Sequence, residues 1–223
     1  MPSLSILLKP ASCACNLHCD YCFYADEAKS RTISDYGMMS RAVSHALIDR
    51  AAGAAQGMVA FLFQGGEPTL AGLDFYRDFV SYAQATIPCG LTVQYALQTN
   101  GILLDEAWCR FFKENDFLVG LSLDGSRKCH DRFRRASAGE GTYEQVLGAA
   151  RLLDGAGVSY NVLTVVTGYL AGHVRSVFSN LCGNGFCFQQ YIPCLDPLEG
   201  KRGQQEYSLS PKQYEEFLKT LFD

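Results

Sequence analysis

Short apolar runs alternate with helix-like segments along almost the whole chain, and this alternation limits the possible folds more than any other feature. We place six strands, each followed by a helical segment. The predicted strands are Leu4–Lys9, Met58–Phe63, Leu91–Gln98, Phe117–Leu123, Ser159–Val166 and Phe186–Ile192. Successive strand–helix units are typical of a parallel sheet, and most of these runs are almost continuously apolar, as in a sheet covered on both faces.

The predicted helices carry apolar residues at helical spacing and are bounded by capping and stop signals. They are Ser40–Ala54, Leu73–Ala85, Asp105–Glu114, Thr142–Asp154, Ala171–Cys182 and Pro211–Phe222. The predicted N-caps are Ser40, Asp105, Thr142 and Ser210. We expect Gly155 and Gly183 to end the fourth and fifth of these helices.

The number of units favours an α/β fold of the partial (β/α)6 TIM-like barrel type. An eight-unit barrel takes about 250 residues, so six units need about 190, and the chain has 223. An open doubly wound sheet stays possible, because periodicity does not fix the closure of the sheet. In either fold, ligands bind beyond the carboxyl ends of the strands. We expect one domain over residues 1–223, since the charged, glycine-rich loop at Gly125–Gly141 is too short to divide it.

Composition excludes several kinds of partner. The chain has 19 Lys and Arg against 23 Asp and Glu, a formal net charge of −4, so it lacks the bulk positive charge that holds nucleic acid. No apolar run reaches the length of about 18 residues that a membrane helix needs, and Met1–Pro10 lacks the basic start of a secretory signal. We therefore expect a cytoplasmic protein with no nucleic acid or membrane partner, whose 10 cysteines stay reduced.

Three cysteines follow the first predicted strand on one loop. Cys15, Cys19 and Cys22 are separated by three and two residues. A structural zinc site uses four ligands, whereas a [4Fe–4S] cluster held by three thiolates keeps one iron open to an outside ligand. The spacing therefore favours a cluster with these three ligands. Zinc, with His18 or Cys13 as fourth ligand, and three incidental cysteines remain as alternatives.

A glycine turn follows the second predicted strand. Gly65 and Gly66 let backbone approach a ligand closely, and Glu67 offers a carboxylate to a cationic ammonium group. By itself, such a turn is more often a tight connection between a strand and a helix.

The end of the fourth predicted strand contributes two further polar groups. Ser122 offers a hydroxyl, and Arg134 offers a planar fork suited to a carboxylate. Without the other motifs, His130 and Arg134 would more often lie on a solvated helix face.

The Cys-x3-Cys-x2-Cys motif behind the first strand of a parallel barrel resembles that of the radical S-adenosylmethionine (SAM) enzymes. The resemblance implies that SAM chelates the open iron and that the reduced cluster passes one electron to the sulfonium, which gives a 5′-deoxyadenosyl radical. It also implies that the glycine turn binds the SAM amino group and that the backbone at Leu195 packs on the adenine. The implied SAM-binding residues are Tyr21, Gly65, Gly66, Glu67, Ser122, Arg134 and Leu195.

Longer strings are similar to those of the anaerobic sulfatase-maturating enzymes. They are Ile6–Ser12, Cys15–Leu17, Tyr21–Tyr24, Phe63–Gly72, Leu97–Gly101 and Cys194–Leu198. The resemblance implies a peptidyl oxidase that converts an active-site cysteine or serine of a sulfatase to Cα-formylglycine. The sulfatase polypeptide would be its substrate and a low-potential donor its electron source. Tyr24, Gln64, Gln98 and Asn100 fall where a peptide could be held, although Gln98–Gly101 also suits a simple amide-rich turn.

The sequence departs from that family in one large way. The family continues into a cysteine-rich C-terminal domain with two auxiliary [4Fe–4S] clusters and the proposed general base, and nothing here corresponds to it. The last predicted helix runs to Asp223 without a stop signal, which favours a chain that is cut. We expect this chain to hold cluster and SAM loosely and not to turn over a sulfatase peptide. The alternatives are another radical SAM peptide-modifying enzyme, such as a thioether-forming one, and a non-catalytic iron–sulfur or zinc module.

Overall fold

A curled sheet of six parallel strands forms the centre of the computed structural model, which describes residues 3–223. The strands of the chain are β1 (Leu4–Leu8), β2 (Leu17–Cys19), β3 (Met58–Phe63), β4 (Thr92–Thr99), β5 (Phe117–Ser122), β6 (Arg134–Ala136), β7 (Tyr160–Val166) and β8 (Gln189–Pro193). β2 and β6 form a separate antiparallel pair, and the other strands make the large sheet. The six predicted strands are confirmed, although the last begins at Gln189 rather than Phe186.

The order of the large sheet decides between the two predicted folds. Its strands lie in the order β1-β3-β4-β5-β7-β8, which follows the chain without reversal, and each neighbouring pair is parallel. A doubly wound sheet reverses its strand order at a switch point. Within residues 3–223, β1 and β8 pair with no further strand, so the sheet is a partial barrel that stays open on one side.

The outer face of the sheet carries the core. On β3, Phe61 and Phe63 are fully buried and meet Phe79 of the following helix edge to face, with ring centroids 5.0 Å apart in both pairs. The inner face is more open, since Leu7 and Leu118 are about half exposed. Alternate side chains therefore build a packed outer layer and an accessible concave face.

The helices cover that outer layer. They are α1 (Phe23–Lys29), α2 (Arg41–Ala54), α3 (Leu73–Thr86), α4 (Glu106–Glu114), α5 (Arg127–Phe133), α6 (Tyr143–Ala156), α7 (Gly168–Ala171), α8 (Val174–Gly183) and α9 (Pro211–Phe222). The predicted N-caps at Ser40, Asp105 and Ser210 are confirmed, because each side chain accepts a hydrogen bond from the backbone of the first turn. Among residues 3–223, no helix is long and apolar enough to span a membrane. Met1 and Pro2, where the stretch tested as a signal begins, lie outside the described residues.

Two helix predictions are wrong, and a third is confirmed only in position. Thr142 is the N-cap residue of α6, but its side chain makes no capping hydrogen bond, because its hydroxyl meets His130 instead. α6 runs past Gly155 and ends at Gly157, which takes the left-handed conformation that a glycine adopts most easily. The predicted helix from Ala171 is two elements, because the Thr167 side chain caps the single turn of α7 and α8 starts only at Val174.

The prediction that Gly125–Gly141 is a loop is wrong. The segment contains α5 and β6. β6 pairs with β2, so this segment packs beside the cysteine loop. His130 is fully buried and Arg134 is 8% exposed, which contradicts the alternative of a solvated helix face.

Candidate active site

A single cavity of about 310 Å³ lies at the carboxyl ends of the parallel strands, and every predicted site residue lines it. These residues are Cys15, Cys19, Tyr21, Cys22, Tyr24, Gln64, Gly65, Gly66, Glu67, Gln98, Asn100, Ser122, Arg134 and Leu195. Parallel strands bring their carboxyl ends to one edge, which explains why residues so far apart in sequence meet here. The volume is that of a small-molecule site.

The three cysteines stand in a loop that is fixed from several sides. Cys15 Sγ accepts a hydrogen bond from the Leu17 backbone N–H at 3.4 Å and contacts Asn100 Nδ2 at 3.8 Å. Cys19 Sγ lies 3.9 Å from Arg134 Nη1. Burial raises the pKa of the Cys15 thiol to about 11 and that of Cys19 to about 12, although the Arg134 guanidinium opposes the rise at Cys19. These thiols therefore keep their protons at neutral pH until a metal displaces them.

The donor set suits an iron–sulfur cluster better than zinc. Within residues 3–223, no group of three or more His, Cys, Asp or Glu side chains converges on a single ion position. Zinc requires such convergence, whereas each thiolate ligand of a [4Fe–4S] cluster binds a different iron. His18 is exposed, and in the described part of the chain neither His18 nor Cys13 lines the cavity. The three thiols thus fit a cluster and lack a fourth zinc ligand.

The glycine turn packs directly on the cysteine loop. The backbone N–H of Glu67 donates a hydrogen bond to the Ala14 carbonyl at 2.8 Å. Gly66 has a φ of +57°, and a Cβ at this position would lie 2.3 Å from the same carbonyl oxygen. At Gly65, a Cβ would lie 2.8 Å from Cγ of Lys9. Gly66 is therefore needed for the two loops to meet, whereas Gly65 approaches only the side chain of Lys9.

Glu67 uses most of its acceptor capacity inside the protein. Its Oε1 accepts hydrogen bonds from Thr69 N, Thr69 Oγ1 and Thr99 Oγ1, and its Oε2 accepts one from Asn100 N at 2.8 Å. Burial raises the pKa of this carboxyl, and the bonds from Asn100 and Thr69 oppose the rise. The carboxylate thus joins the ends of β3 and β4, and its predicted contact with an ammonium group stays a prediction.

Arg134 faces a carboxylate of the protein itself. Its Nε donates to Asp124 Oδ2 at 2.9 Å, and both side chains are almost completely buried. The Tyr21 hydroxyl donates to the same Asp124 oxygen. Sequence reasoning missed Asp124, although an acidic residue directly after the predicted strand Phe117–Leu123 was an available signal.

The four residues predicted to hold substrate differ in how far their side chains are already hydrogen-bonded within the protein. Gln64 Nε2 donates to the Tyr24 hydroxyl. The Asn100 amide donates to Asn16 Oδ1 at 2.8 Å and so fixes the cysteine loop, a contact that the sequence did not predict. Among the residues that the structure describes, the half-buried Gln98 side chain has no hydrogen-bond partner. Gln98 is therefore the member of this set most available to a ligand.

Apolar residues at the ends of β7 and β8 complete the cavity wall. Val165, Ile192 and Cys194 line it, and the buried Cys194 thiol donates to the Leu195 carbonyl. Cys194 directly follows β8, and this position at the carboxyl end of a strand explains why it faces the site. The cavity is therefore lined by polar residues of the loops on one side and by this apolar wall on another.

The fold and the site together define a class of protein. Residues 10–179 match the Radical SAM superfamily, and the chain belongs to that superfamily. Membership brings SAM and an iron–sulfur cluster as cofactors, and the donor set described above suits both.

Particular relatives are more similar still. The chain is 44% identical, over its full length, to the cysteine-type anaerobic sulfatase-maturating enzyme of Clostridium novyi, of which it covers 60%. It is 34% identical over 213 residues to the serine-type enzyme of Klebsiella aerogenes, of which it covers 52%. A solved structure of native anSMEcpe with bound AdoMet and Cp18Cys peptide superposes with a TM-score of 0.94 at 44% identity. The superposition covers 100% of this chain and 59% of that one, so the chain spans little more than half of these relatives.

Proposed function

We propose that this chain is the SAM-binding barrel of an anaerobic sulfatase-maturating enzyme, which oxidises an active-site cysteine or serine of a sulfatase to Cα-formylglycine. The observation that carries the proposal is the single cavity that the cysteine loop, the glycine turn and the Ser122 strand end all line. The similarity to a cysteine-type maturase over 223 residues and to a serine-type maturase over 213 residues supports the same conclusion. Identity is higher to the cysteine-type enzyme, which favours a cysteine substrate.

Each group of cavity residues has a distinct task in this proposal. Cys15, Cys19 and Cys22 hold a [4Fe–4S] cluster. The SAM-binding set is Tyr21, Gly65, Gly66, Glu67, Ser122, Arg134 and Leu195. When bound, these cofactors supply a one-electron reduction of the sulfonium and hence a 5′-deoxyadenosyl radical.

The chain's own residues then orient the peptide and limit access of water. The Gln98 amide can donate to and accept from a peptide backbone, because its donor and acceptor are free in the described chain. Gln64, which follows the neighbouring strand β3, bonds to Tyr24, and Lys9 lies 4.5 Å above the Tyr24 ring. The apolar wall of Val165 and Ile192 keeps the reacting side chain away from bulk solvent.

The whole protein extends beyond this barrel. We place the radical SAM core in residues 1–223 and assign the two auxiliary [4Fe–4S] clusters and the general base to a further C-terminal domain. The sulfatase polypeptide and a low-potential electron donor are its partners, and the cytoplasm is its location. The open side between β1 and β8 supports a polypeptide substrate, because the concave face there is accessible to a chain as well as to a small molecule.

Iron loading tests the cofactor assignment. Anaerobically reconstituted chain is expected to bind about four irons and to cleave SAM under a strong reductant. Replacement of Cys15, Cys19 or Cys22 by Ala should abolish both. The matched controls are Cys89→Ala, Cys182→Ala and Cys187→Ala, which change exposed thiols elsewhere. Unchanged iron content in all three loop variants would overturn the assignment.

Mass spectrometry tests the reaction itself. The longer protein, incubated with a Ser-x-Ala-x-Arg peptide, is expected to remove the mass of H₂ from the serine, and with a Cys-x-Pro-x-Arg peptide to leave an aldehyde that hydrazines trap. A product with a new thioether link and no aldehyde would favour the other peptide-modifying class. Formylglycine formed by the 223-residue chain alone would contradict the prediction that turnover needs the rest of the protein.

A further inference from the structure

We propose that Asp124 is a positioning residue of this site, which holds Arg134 and Tyr21 so that the remaining N–H groups of the guanidinium face a ligand carboxylate in the cavity. The inference rests on the proposed function, because it takes SAM as that ligand. Asp124 itself is not assigned a contact with the cofactor.

The acceptor positions of Asp124 are all occupied by protein donors. Oδ2 accepts from the Tyr21 hydroxyl and from Arg134 Nε at 2.9 Å. Oδ1 accepts from Arg134 Nη2 at 3.4 Å and from the Val165 backbone N–H at 2.8 Å. A carboxylate has about four lone-pair sites, so none remains for a ligand. The residue therefore acts through the groups that it holds.

These donors come from separate parts of the fold. Tyr21 lies in the cysteine loop, Arg134 begins β6, Val165 lies in β7, and Asp124 follows β5. The guanidinium of Arg134 also stands 5.4 Å from the centroid of the Tyr21 ring. One buried carboxylate thus fixes the relative position of the cysteine loop and two strand ends.

Among residues 3–223, one N–H of Nη1 and one of Nη2 in Arg134 have no hydrogen-bond partner. Its Nε and one hydrogen of Nη2 are used by the ion pair, and Nη1 lies 3.9 Å from Cys19 Sγ. A guanidinium has five N–H donors in a rigid fork, so holding two of them fixes the direction of the others. The same residue lines the cavity. An arginine without this partner would lose its fixed orientation.

His130 links the backbones of the two ion-pair residues through hydrogen bonds. Its Nδ1 accepts from the Asp124 backbone N–H at 3.2 Å, so its Nε2 carries the proton and meets Thr142 Oγ1 at 3.0 Å. The Thr142 hydroxyl donates in turn to the Arg134 carbonyl at 3.4 Å. The backbones of both ion-pair partners are therefore joined through one histidine and one threonine.

The test measures SAM affinity and the change that SAM causes in the electron paramagnetic resonance spectrum of the reduced cluster. Asp124→Asn is expected to keep its iron and to bind SAM at least about tenfold more weakly, since a hydrogen bond to a charged group is lost. Its spectral change on adding SAM should also be smaller. The matched control is Asp78→Asn, which removes a carboxylate paired with His45 at 2.8 Å on the helical surface and should leave both readouts unchanged.

A double-mutant cycle shows whether Asp124 acts through Arg134. Arg134→Gln should weaken SAM binding, and adding Asp124→Asn to it should cost nothing further. The double variant also removes both buried charges, so its fold does not depend on an unpaired one. An equal loss from Asp124→Asn in both backgrounds, or wild-type affinity in the single variant, would overturn the inference. Wild-type protein that loads iron but does not bind SAM would overturn the proposed function as well.

Discussion

Gly66 is the residue at which the site has least tolerance for a side chain. We expect Gly66→Ala to lower the free energy of unfolding by at least about 2 kcal/mol, because it adds a backbone clash to the cost of a positive φ. Gly157→Ala is the matched control: its φ is +64°, but a Cβ there would meet nothing closer than Lys113 Nζ at 3.8 Å. That variant should lose only about 1 kcal/mol in urea unfolding of the cofactor-free chain. Equal losses would contradict the contact with Ala14.

His130 should make the stability of the chain depend on pH. Burial lowers its pKa from 6.5 to about 4, and the charge of Asp124 opposes the shift only in part. The unfolded chain therefore binds this proton at a higher pH than the folded chain does. Its contribution is fully present above pH 7 and is lost as the pH falls from 6.5 towards 4, by about 3 kcal/mol in total.

Urea unfolding at pH 7.5 and at pH 5 measures this dependence. The wild-type chain should lose more stability between the two values than His130→Gln, which keeps a donor and an acceptor but has no group that titrates there. Parallel losses in the two proteins would show that His130 is not the source.

At the level of elements, Glu67 joins β3, the turn Pro68–Ala71 and β4. In Glu67→Gln an amide N–H₂ replaces one acceptor oxygen, so at least one of the buried donors from Thr69, Thr99 or Asn100 loses its partner. We expect a loss of about 1–3 kcal/mol in the free energy of unfolding of the cofactor-free chain. Glu216→Gln, on the exposed face of α9, should stay within about 0.5 kcal/mol. A neutral result for Glu67→Gln would show that its hydrogen bonds do not stabilise this junction.

The strands and the membership of the site could be predicted, because both follow from local patterns. Apolar runs mark the buried strands, and residues at their carboxyl ends meet once the sheet is parallel. α5 could not be predicted in this way, since its seven residues include Arg127, Lys128, His130, Asp131 and Arg132. Burial of His130 depends on hydrogen bonds to partners outside that helix, which no periodicity encodes.

The hydrogen bonds within the site were beyond sequence reasoning for the same reason. Tyr21 and Asp124 are 103 residues apart, and Asn16 and Asn100 are 84 apart. Each residue type was compatible with several partners, and only the packing of β2 against β6 and the curl of the sheet bring these pairs together. The motif residues could be predicted from the sequence, whereas their hydrogen-bond partners could not.

At the scale of the whole molecule, residues 3–223 form a sheet with two unpaired edges and a protected centre. β4 lies between β3 and β5 in the middle of the order, whereas β8 pairs with β7 alone in the described chain. We expect the amide protons of β4 to exchange at least about tenfold more slowly than those of β8, because edge strands open at lower free energy. Hydrogen–deuterium exchange with mass spectrometry measures the difference. Equal protection of the two strands would contradict an open sheet.

The bond between the Ala14 carbonyl and the Glu67 amide limits how this barrel can be redesigned. Both partners belong to the main chain, so no side chain contributes an atom to the link, and a Cβ at Gly66 would clash with the same carbonyl oxygen. A redesign that changes the volume of the cavity would have to replace the cysteine loop and the glycine turn together. Grafting either piece alone onto a different scaffold would leave its counterpart in the wrong place.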